Sequence, residues 1–426
     1  MVASRRSFIR TAAAGAVAPF LGPRILDDLE ERIETFHHGS TAEAAADDPF
    51  WDEIRRVFRV SADYINLENG YSSPQPAPTF EAFQRHQQSI NSGVSFYMRR
   101  KKADDHAAAK QQLAELAGCP AEEIVITRNT TESLGTVIHG LDLMAGDQAV
   151  MTNQDYGSML EQFRQQARRR GIQCVEIAIP LHPKDDNEVV DTFARAITSR
   201  TKVLLLTHLV NITGQILPAR KIADMAHARG VEVIVDGAHS FAHLAFNIPD
   251  LGGDYFGASL HKWLCTPLGA GILQIKKEKI RKVWPLFGET GVPADDIRKF
   301  ERIGTHPSWT TLAILDAIRF HRMIGPERKE ARLRYLQQHW TERVRGIPKV
   351  YLNTPPGNRA CGIANFGIAG KTPQELANLL FDRYRIYTVA IDTEPVKGVR
   401  VTPHLYTTTV ELDALVAAIQ KMAATA

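Results

Sequence analysis

The sequence predicts an α/β fold, with a large domain built on a mostly parallel sheet flanked by helices and a smaller C-terminal α+β domain after it. Three observations carry this expectation. From about residue 104, helical and strand-like runs alternate. The strand candidates are continuous apolar runs, as strands buried on both faces are, rather than alternating ones. From about 307 onward helices dominate, with only short strands between them. The 426 residues are enough for a large core and more than one domain.

At the N-terminus, "SRRSFIRTAAAGAVAPFLG" places Arg5 and Arg6 ahead of a weakly apolar Ala/Gly-rich run that also holds Phe8. That is the layout of a twin-arginine export signal. Pro19 and Gly22 break the run, which is too short for a stable transmembrane span. The expectation is an exported protein, periplasmic or extracellular, handled by the twin-arginine translocation machinery. Ala44 to Ala46 offer small residues for a late cleavage site. Residues 1–46 are read as signal and polar linker, 80–310 as the large domain, and 50–79 with 311–426 as the smaller one.

Along the large domain, "HAAAKQQLAELAG" reads as a helix ending at Gly118. "EIVIT" follows as a strand, and Leu134, Val137, Ile138 and Leu141 then recur at helical spacing. "QAVMT", "VEIAI", "KVLLLT", "VEVIVD", "DYFGAS" and "GAGILQI" are the further strands, with helices from about Ser158 to Arg170, near 188–198 and over "ARKIADMAHARG". Short strands are expected near 362–368, 386–391 and 399–402. In the last helix Thr408 and Glu411 form a capping-box pattern, and Leu412, Leu415, Val416 and Ile419 share a face.

Composition narrows the function classes. Apolar residues make up 44% and charged residues 23%, with a net charge of +3. This balance gives no basis for a nucleic-acid partner or an anionic membrane surface. The four cysteines are scattered with no CxxC pair, so no metal site is expected. No G-x-G-x-x-G follows the first strand, which leaves a nicotinamide-binding dehydrogenase unsupported.

In open α/β sheets ligands bind beyond the carboxyl ends of the strands. After "EIVIT" come Thr130 and Thr131 at a helix start, where hydroxyls, free N–H groups and the helix dipole suit a phosphate. After "QAVMT" comes Tyr156, able to stack on a flat ring. After "KVLLLT" come His208 and Asn211. After "VEVIV" comes Asp236, with His239 one turn on, and a carboxylate there should be nearly buried and in need of a partner. After "DYFGAS" come His261 and Lys262. Asp236 and Lys262 alone would fit a structural ion pair. The ordered set matches the needs of pyridoxal 5′-phosphate (PLP): a lysine for its aldehyde, an acid for its ring nitrogen, and N–H and hydroxyl donors for its phosphate.

"TRNTTESL", "THLVNITG", "VDGAHS", "GASLHKWLCTPLGAGIL" and "RIGTHPSW" together resemble the class V aminotransferase family of PLP enzymes, which have the fold type I architecture. The resemblance covers roughly 60–420. It implies that Lys262 forms the Schiff base with the cofactor and carries the proton at the substrate's α-carbon. It implies that Asp236 holds the pyridine nitrogen protonated, and that Thr130, Thr131, Ser259 and His261 bind the phosphate. By the same resemblance His239 and Asn211 lie near the phenolic oxygen and Tyr156 stacks on the ring. Thr305 would reach the phosphate of a neighbouring subunit, implying a homodimer, and Arg400 would clamp a substrate carboxylate.

"INLENGYSSPQP" resembles the N-x-G segment of the isopenicillin N epimerase-like branch and makes Asn69 a candidate substrate-binding residue. The resemblance implies an enzyme acting at the α-carbon of an amino acid or peptide-derived amine, an aminotransferase first. An epimerase or racemase, a lyase and a non-catalytic exported binding module are the alternatives. Cysteine desulfurases of this family carry a reactive cysteine shortly before the carboxylate-binding arginine. "YRIYTVAIDTEPVKGVRVTP" has none, so desulfuration through a cysteine persulfide is not expected.

Overall fold

The structure, a computed structural model, describes residues 25–425. The chain divides into two compact units, Met1–His37 and His38–Ala426. In the first, Ile25–Glu34 is a helix with Asp27 and Asp28 in its first turn and Arg32 in its last, the charge order that suits a helix dipole. The export-signal reading falls on residues that lie outside the described ones.

The second unit opens with helices where the sequence suggested a linker. Ser40 caps Thr41–Ala46 and Asp47 caps Asp48–Arg56, each accepting a backbone N–H three residues on. Ala44 and Ala45 are buried, and their carbonyls accept from Trp51 Nε1 at 2.7 Å and Arg332 Nη1 at 2.9 Å. The small residues considered for cleavage are thus packed helix, seated against Pro326–Val344.

Thirteen strands follow among the described residues: β1 Ile65–Asn66, β2 Ile124–Thr127, β3 Gln148–Thr152, β4 Gln173–Ile177, β5 Thr201–Thr207, β6 Glu232–Asp236, β7 Tyr255–Ser259, β8 Gly271–Ile275, β9 Val350–Leu352, β10 Ala364–Ile368, β11 Ile386–Tyr387, β12 Val389–Asp392 and β13 Lys397–Val401. Seven form one sheet in the order β2-β8-β7-β6-β5-β3-β4. The pairs from β4 through β3, β5 and β6 to β7 are parallel, and β8 is antiparallel to both its neighbours. Parallel neighbours need a crossover element. The connection between β7 and β8 carries Lys262 instead of a helix, so the chain returns antiparallel.

Three strands of this sheet, β3, β7 and β8, are buried along their whole length, which explains their unbroken apolar runs. Leu134, Val137, Ile138, Met151, Phe163, Leu205, Ile234 and Leu273 fill its core on one side. The helix Thr130–Gly140 lies close against β7 and β8 because both supply glycine. A Cβ at Gly257 would stand 2.6 Å from Leu134 Cδ2, and one at Gly271 would stand 2.6 Å from the Asn129 nitrogen.

A four-stranded sheet, β12-β13-β10-β9, is antiparallel throughout. Trp340, Phe366, Leu376, Leu380, Val399, Leu412, Leu415 and Ile419 make its core with the helices Pro373–Tyr384 and Thr409–Ala424. The capping box at Thr408 forms: Thr408 Oγ1 accepts from the Glu411 amide and Glu411 Oε2 accepts from the Thr408 amide. β1 adds to β11 in parallel, Ile65 opposite Ile386, so the segment near 65–73 lies beside the C-terminal strands.

Candidate cofactor and active site

One edge of the seven-stranded sheet gathers the carboxyl ends of β2, β3, β5, β6 and β7 with the start of β8. A cavity of about 520 Å³ opens there, lined among others by Thr130, Thr131, Tyr156, Asn211, Asp236, His239, Ser259, His261, Lys262 and Arg400. Ten of the residues singled out in the sequence therefore meet in one place.

Ser259 and Thr130 form one corner. Thr130 donates its amide to Ser259 Oγ at 2.9 Å, and the two hydroxyls are 2.8 Å apart. Asn129 caps the helix by accepting from the Glu132 amide, which points the helix N-terminus at the cavity. His261 stands nearby with a buried Nδ1 that has no protein partner, and burial pushes its imidazole down to about 4.

Asp236 ends β6, buried, and accepts the Ala238 amide at 2.9 Å. Burial raises its carboxyl above the usual range, against the pull of that bond and of Lys262. Beside it is a group the sequence reading passed over. Asp155 is also buried, accepts Thr207 Oγ1 and the Thr152 amide, each at 2.6 Å, and is pushed up to about 7, mainly by burial. It directly precedes Tyr156 in "NQDYGS", but nothing in that string separates a turn aspartate from a buried one.

Lys262 lies 3.0 Å from His239 Nε2 through its Nζ. Trp263 Nε1 donates to His239 Nδ1 at 3.3 Å. An indole nitrogen can only donate, and burial first, then the charge of Lys262, holds the imidazole neutral. The tautomer follows: Nδ1 is bare and Nε2 carries the proton, facing the Lys262 amine. That amine can accept this hydrogen bond only when it is unprotonated. Its pKa is lowered to about 8, by burial first and by Arg400 as well, with Asp236 opposing. Trp263 was visible beside Lys262, but its role needs the fold.

Two candidates are placed elsewhere. Asn69 is fully buried; it donates to the Thr402 carbonyl at 2.8 Å and accepts from Tyr406 Oη at 2.7 Å. Its polar atoms are consumed in pinning the segment to the strand after it, so it does not face the cavity, and its neighbours Gly70 and Tyr71 do. Thr305 is exposed on the connection before Ser308–Ile324 and does not line the cavity. Arg400 reaches the cavity, with Glu68, unnoticed in the sequence, against its guanidinium at 2.5 Å.

The aminotransferase class V family model matches residues 65–415. The chain belongs to the class V aminotransferase family. Isopenicillin N epimerase of Streptomyces clavuligerus is 27% identical over 390 residues, covering 87% of this chain and 98% of that protein. This agrees with the branch suggested by "INLENGYSSPQP". A cysteine desulfurase of Haloferax volcanii is 28% identical over 335 residues, covering 74% of this chain and 77% of that protein. Among solved structures, the cysteine desulfurase of Thermococcus onnurineus NA1 superposes with a TM-score of 0.76 at 22% identity, covering 88% and 98% of the two chains.

These likenesses correct one expectation. Desulfurases stand among the relatives of this chain as epimerases do, so the missing cysteine before Arg400 does not exclude desulfuration. The physical reason is that most of the motifs marking the family line the cavity at the strand ends, where they suit the cofactor and do not specify a reaction.

PLP is the cofactor, and the residues present fit it. The unpartnered His261 Nδ1, the Thr130 and Ser259 hydroxyls and the helix N-terminus suit its phosphate. The buried Asp236 suits its ring nitrogen, and Lys262 its aldehyde. Among the described residues no group of three or more His, Cys, Asp or Glu could hold a metal, and no helix is long and apolar enough to cross a membrane.

Proposed function

We propose that this enzyme acts at the carbon bearing the amine of an amino acid or peptide-derived substrate, with transamination as its reaction. The observation that carries the reading is the Lys262 amine, lowered to about 8 and 3.0 Å from His239. It is a lysine poised to take and return a proton near neutral pH. Bound PLP supplies an electron-withdrawing ring that makes the proton on that carbon removable.

The chain's residues do the rest. Asp236 holds a proton on the ring nitrogen. Thr130, Ser259 and His261 fix the phosphate end, with the dipole of Thr130–Gly140 adding attraction. Tyr156, which is 44% exposed, lies where it can cover the ring. His239, its tautomer set by Trp263, keeps Nε2–H available as a donor toward Lys262 or the phenolic oxygen. One lysine is enough to move a proton between two positions on the same face, and this supports transamination. Epimerisation is the second reading, favoured by the isopenicillin N epimerases among the relatives.

Two further parts of the reading concern the whole protein. Arg5, Arg6 and Phe8 support export through the twin-arginine pathway, and finding the native protein only in the cytosol would refute it. The exposed Thr305 supports a homodimer, which light scattering on the purified protein would test.

The reaction is tested by incubating the PLP-loaded enzyme with amines in heavy water. Release of a carbonyl product with loss of the cofactor's absorption band supports transamination. Deuterium uptake at the reacting carbon with no carbonyl product refutes it in favour of epimerisation.

A further inference from the structure

Arg400 is not free. Its Nη2 and Nε donate to Glu68 Oε1 at 2.5 Å and Oε2 at 3.3 Å, a side-on bidentate pair, and its Nη1 donates to the Asn211 carbonyl at 3.2 Å. Both side chains are almost wholly buried, 9% exposed for Arg400 and 7% for Glu68. Glu68 Oε1 also accepts the Tyr71 amide at 3.0 Å, which fixes the carboxylate from its other side. Gly70 lies flat against the guanidinium: a Cβ there would be 2.8 Å from Cζ.

A purely structural role would be to dock the 66–71 segment on the strand that follows it in space. Other groups already do this. Thr402 Oγ1 accepts the amides of Asn69 and Gly70 at 2.7 and 3.1 Å, Thr402 donates its amide to the Leu67 carbonyl at 2.8 Å, and Tyr406 holds Asn66 and Asn69. The ion pair is additional to this docking, and it sits where Arg400 lines the cavity.

A guanidinium has five N–H donors and never loses its charge in a protein. Three donors are used, so two remain, and the obstacle to a second carboxylate is charge. A substrate carboxylate would meet an already neutral pair and lie beside the buried Glu68 carboxylate, where like charges repel strongly.

We propose that Glu68 sets the substrate class: by neutralising Arg400 it turns the site against a carboxylate on the reacting carbon and toward amines in which that group is absent or amidated. This rests on the reading of the site as one that processes amines.

The test compares L-alaninamide with L-alanine on the PLP-loaded enzyme at equal concentrations of unprotonated amine. The readout is the concentration giving a half-maximal change in cofactor absorption. Wild type should prefer alaninamide at least tenfold, and Glu68→Gln should shift the ratio toward alanine at least tenfold. Calorimetric titration of propionate into the cofactor-free proteins adds a readout free of the chemistry. Glu68→Gln should bind it at least tenfold more tightly than wild type. A wild type that takes alanine as readily as alaninamide overturns the proposal, whatever the variant does. If neither amine perturbs the cofactor, the amine-processing reading fails, and the propionate titration still decides Glu68: no gain in the variant overturns its role.

Discussion

At the scale of single residues, the site turns on the protonation of Lys262. Lys262→Ala should abolish both the visible absorption of lysine-bound cofactor and turnover while the far-ultraviolet circular dichroism is kept. Persistence of either would remove Lys262 from the chemistry. The amine must be unprotonated to bond the aldehyde, and its pKa lies at about 8 instead of an ordinary lysine value. Cofactor uptake by the stripped protein should therefore rise with pH and level off above about 8. Trp263→Phe removes the bond that fixes the His239 tautomer. With no N–H guaranteed toward the neutral amine, the charged form gains and the midpoint should move up by about 0.7 of a pH unit, the equivalent of one hydrogen bond of ~1 kcal/mol. An unchanged midpoint would mean that the indole only packs. Lys262, Asp236, Ser259 and Thr130 were legible in the sequence because each follows a recognisable strand. Glu68, Asp155 and Trp263 were not, because each has a defining partner on another element: Arg400 is 332 residues from Glu68, Thr207 is 52 from Asp155 and His239 is 24 from Trp263. Asn69 was misplaced within a correctly marked segment because the chain there turns its neighbours, not Asn69, to the cavity.

At the scale of elements, the phosphate corner depends on how closely one helix approaches two strands. Gly257→Val should lower the urea midpoint, since a Cβ at 2.6 Å from Leu134 Cδ2 and 2.9 Å from Ser133 Cβ forces the helix outward, at a cost of about 1–3 kcal/mol. The same shift would move Thr130 from Ser259, so phosphate-end affinity should fall in parallel, read as a weaker apparent Kd for PLP. Loss of stability with unchanged affinity would show that the corner adjusts on its own. Periodicity located the strands β2 through β8 and the last helix with its Thr408 cap. It could not show that β8 runs against its neighbours, because direction depends on the length of the connection rather than on the strand. Nor did it find Thr41–Ala46, whose run of alanines reads as polar linker until the face of Pro326–Val344 is there to cover it.

At the scale of the whole molecule, the cofactor site joins the helix Thr130–Gly140, the strand ends of the large sheet and Arg400 of β13. Binding to the folded state alone should stabilise it by about 4 kcal/mol at a thousandfold excess over Kd. Stripping PLP should then lower the melting temperature by several degrees, and re-addition should restore it in wild type but much less in Lys262→Ala. Equal melting with and without cofactor would mean that the site contributes nothing to holding the fold together. The large parallel sheet and its ligand edge were legible in the order of apolar runs. The pairing of β1 with β11 was not, since two residues of strand carry no periodic signal.

The order of the site residues along the chain has a consequence for synthesis on the ribosome. Thr130, Asp236, Ser259 and Lys262 have all been made once residue 262 is added, whereas the Glu68–Arg400 pair waits for the strand that ends at Val401. At ~10 residues per second, Glu68 waits about 33 s for its partner, and the cofactor residues precede that partner by about 14 s. The residues expected to hold the prosthetic group are therefore all synthesised before the Glu68–Arg400 pair can form.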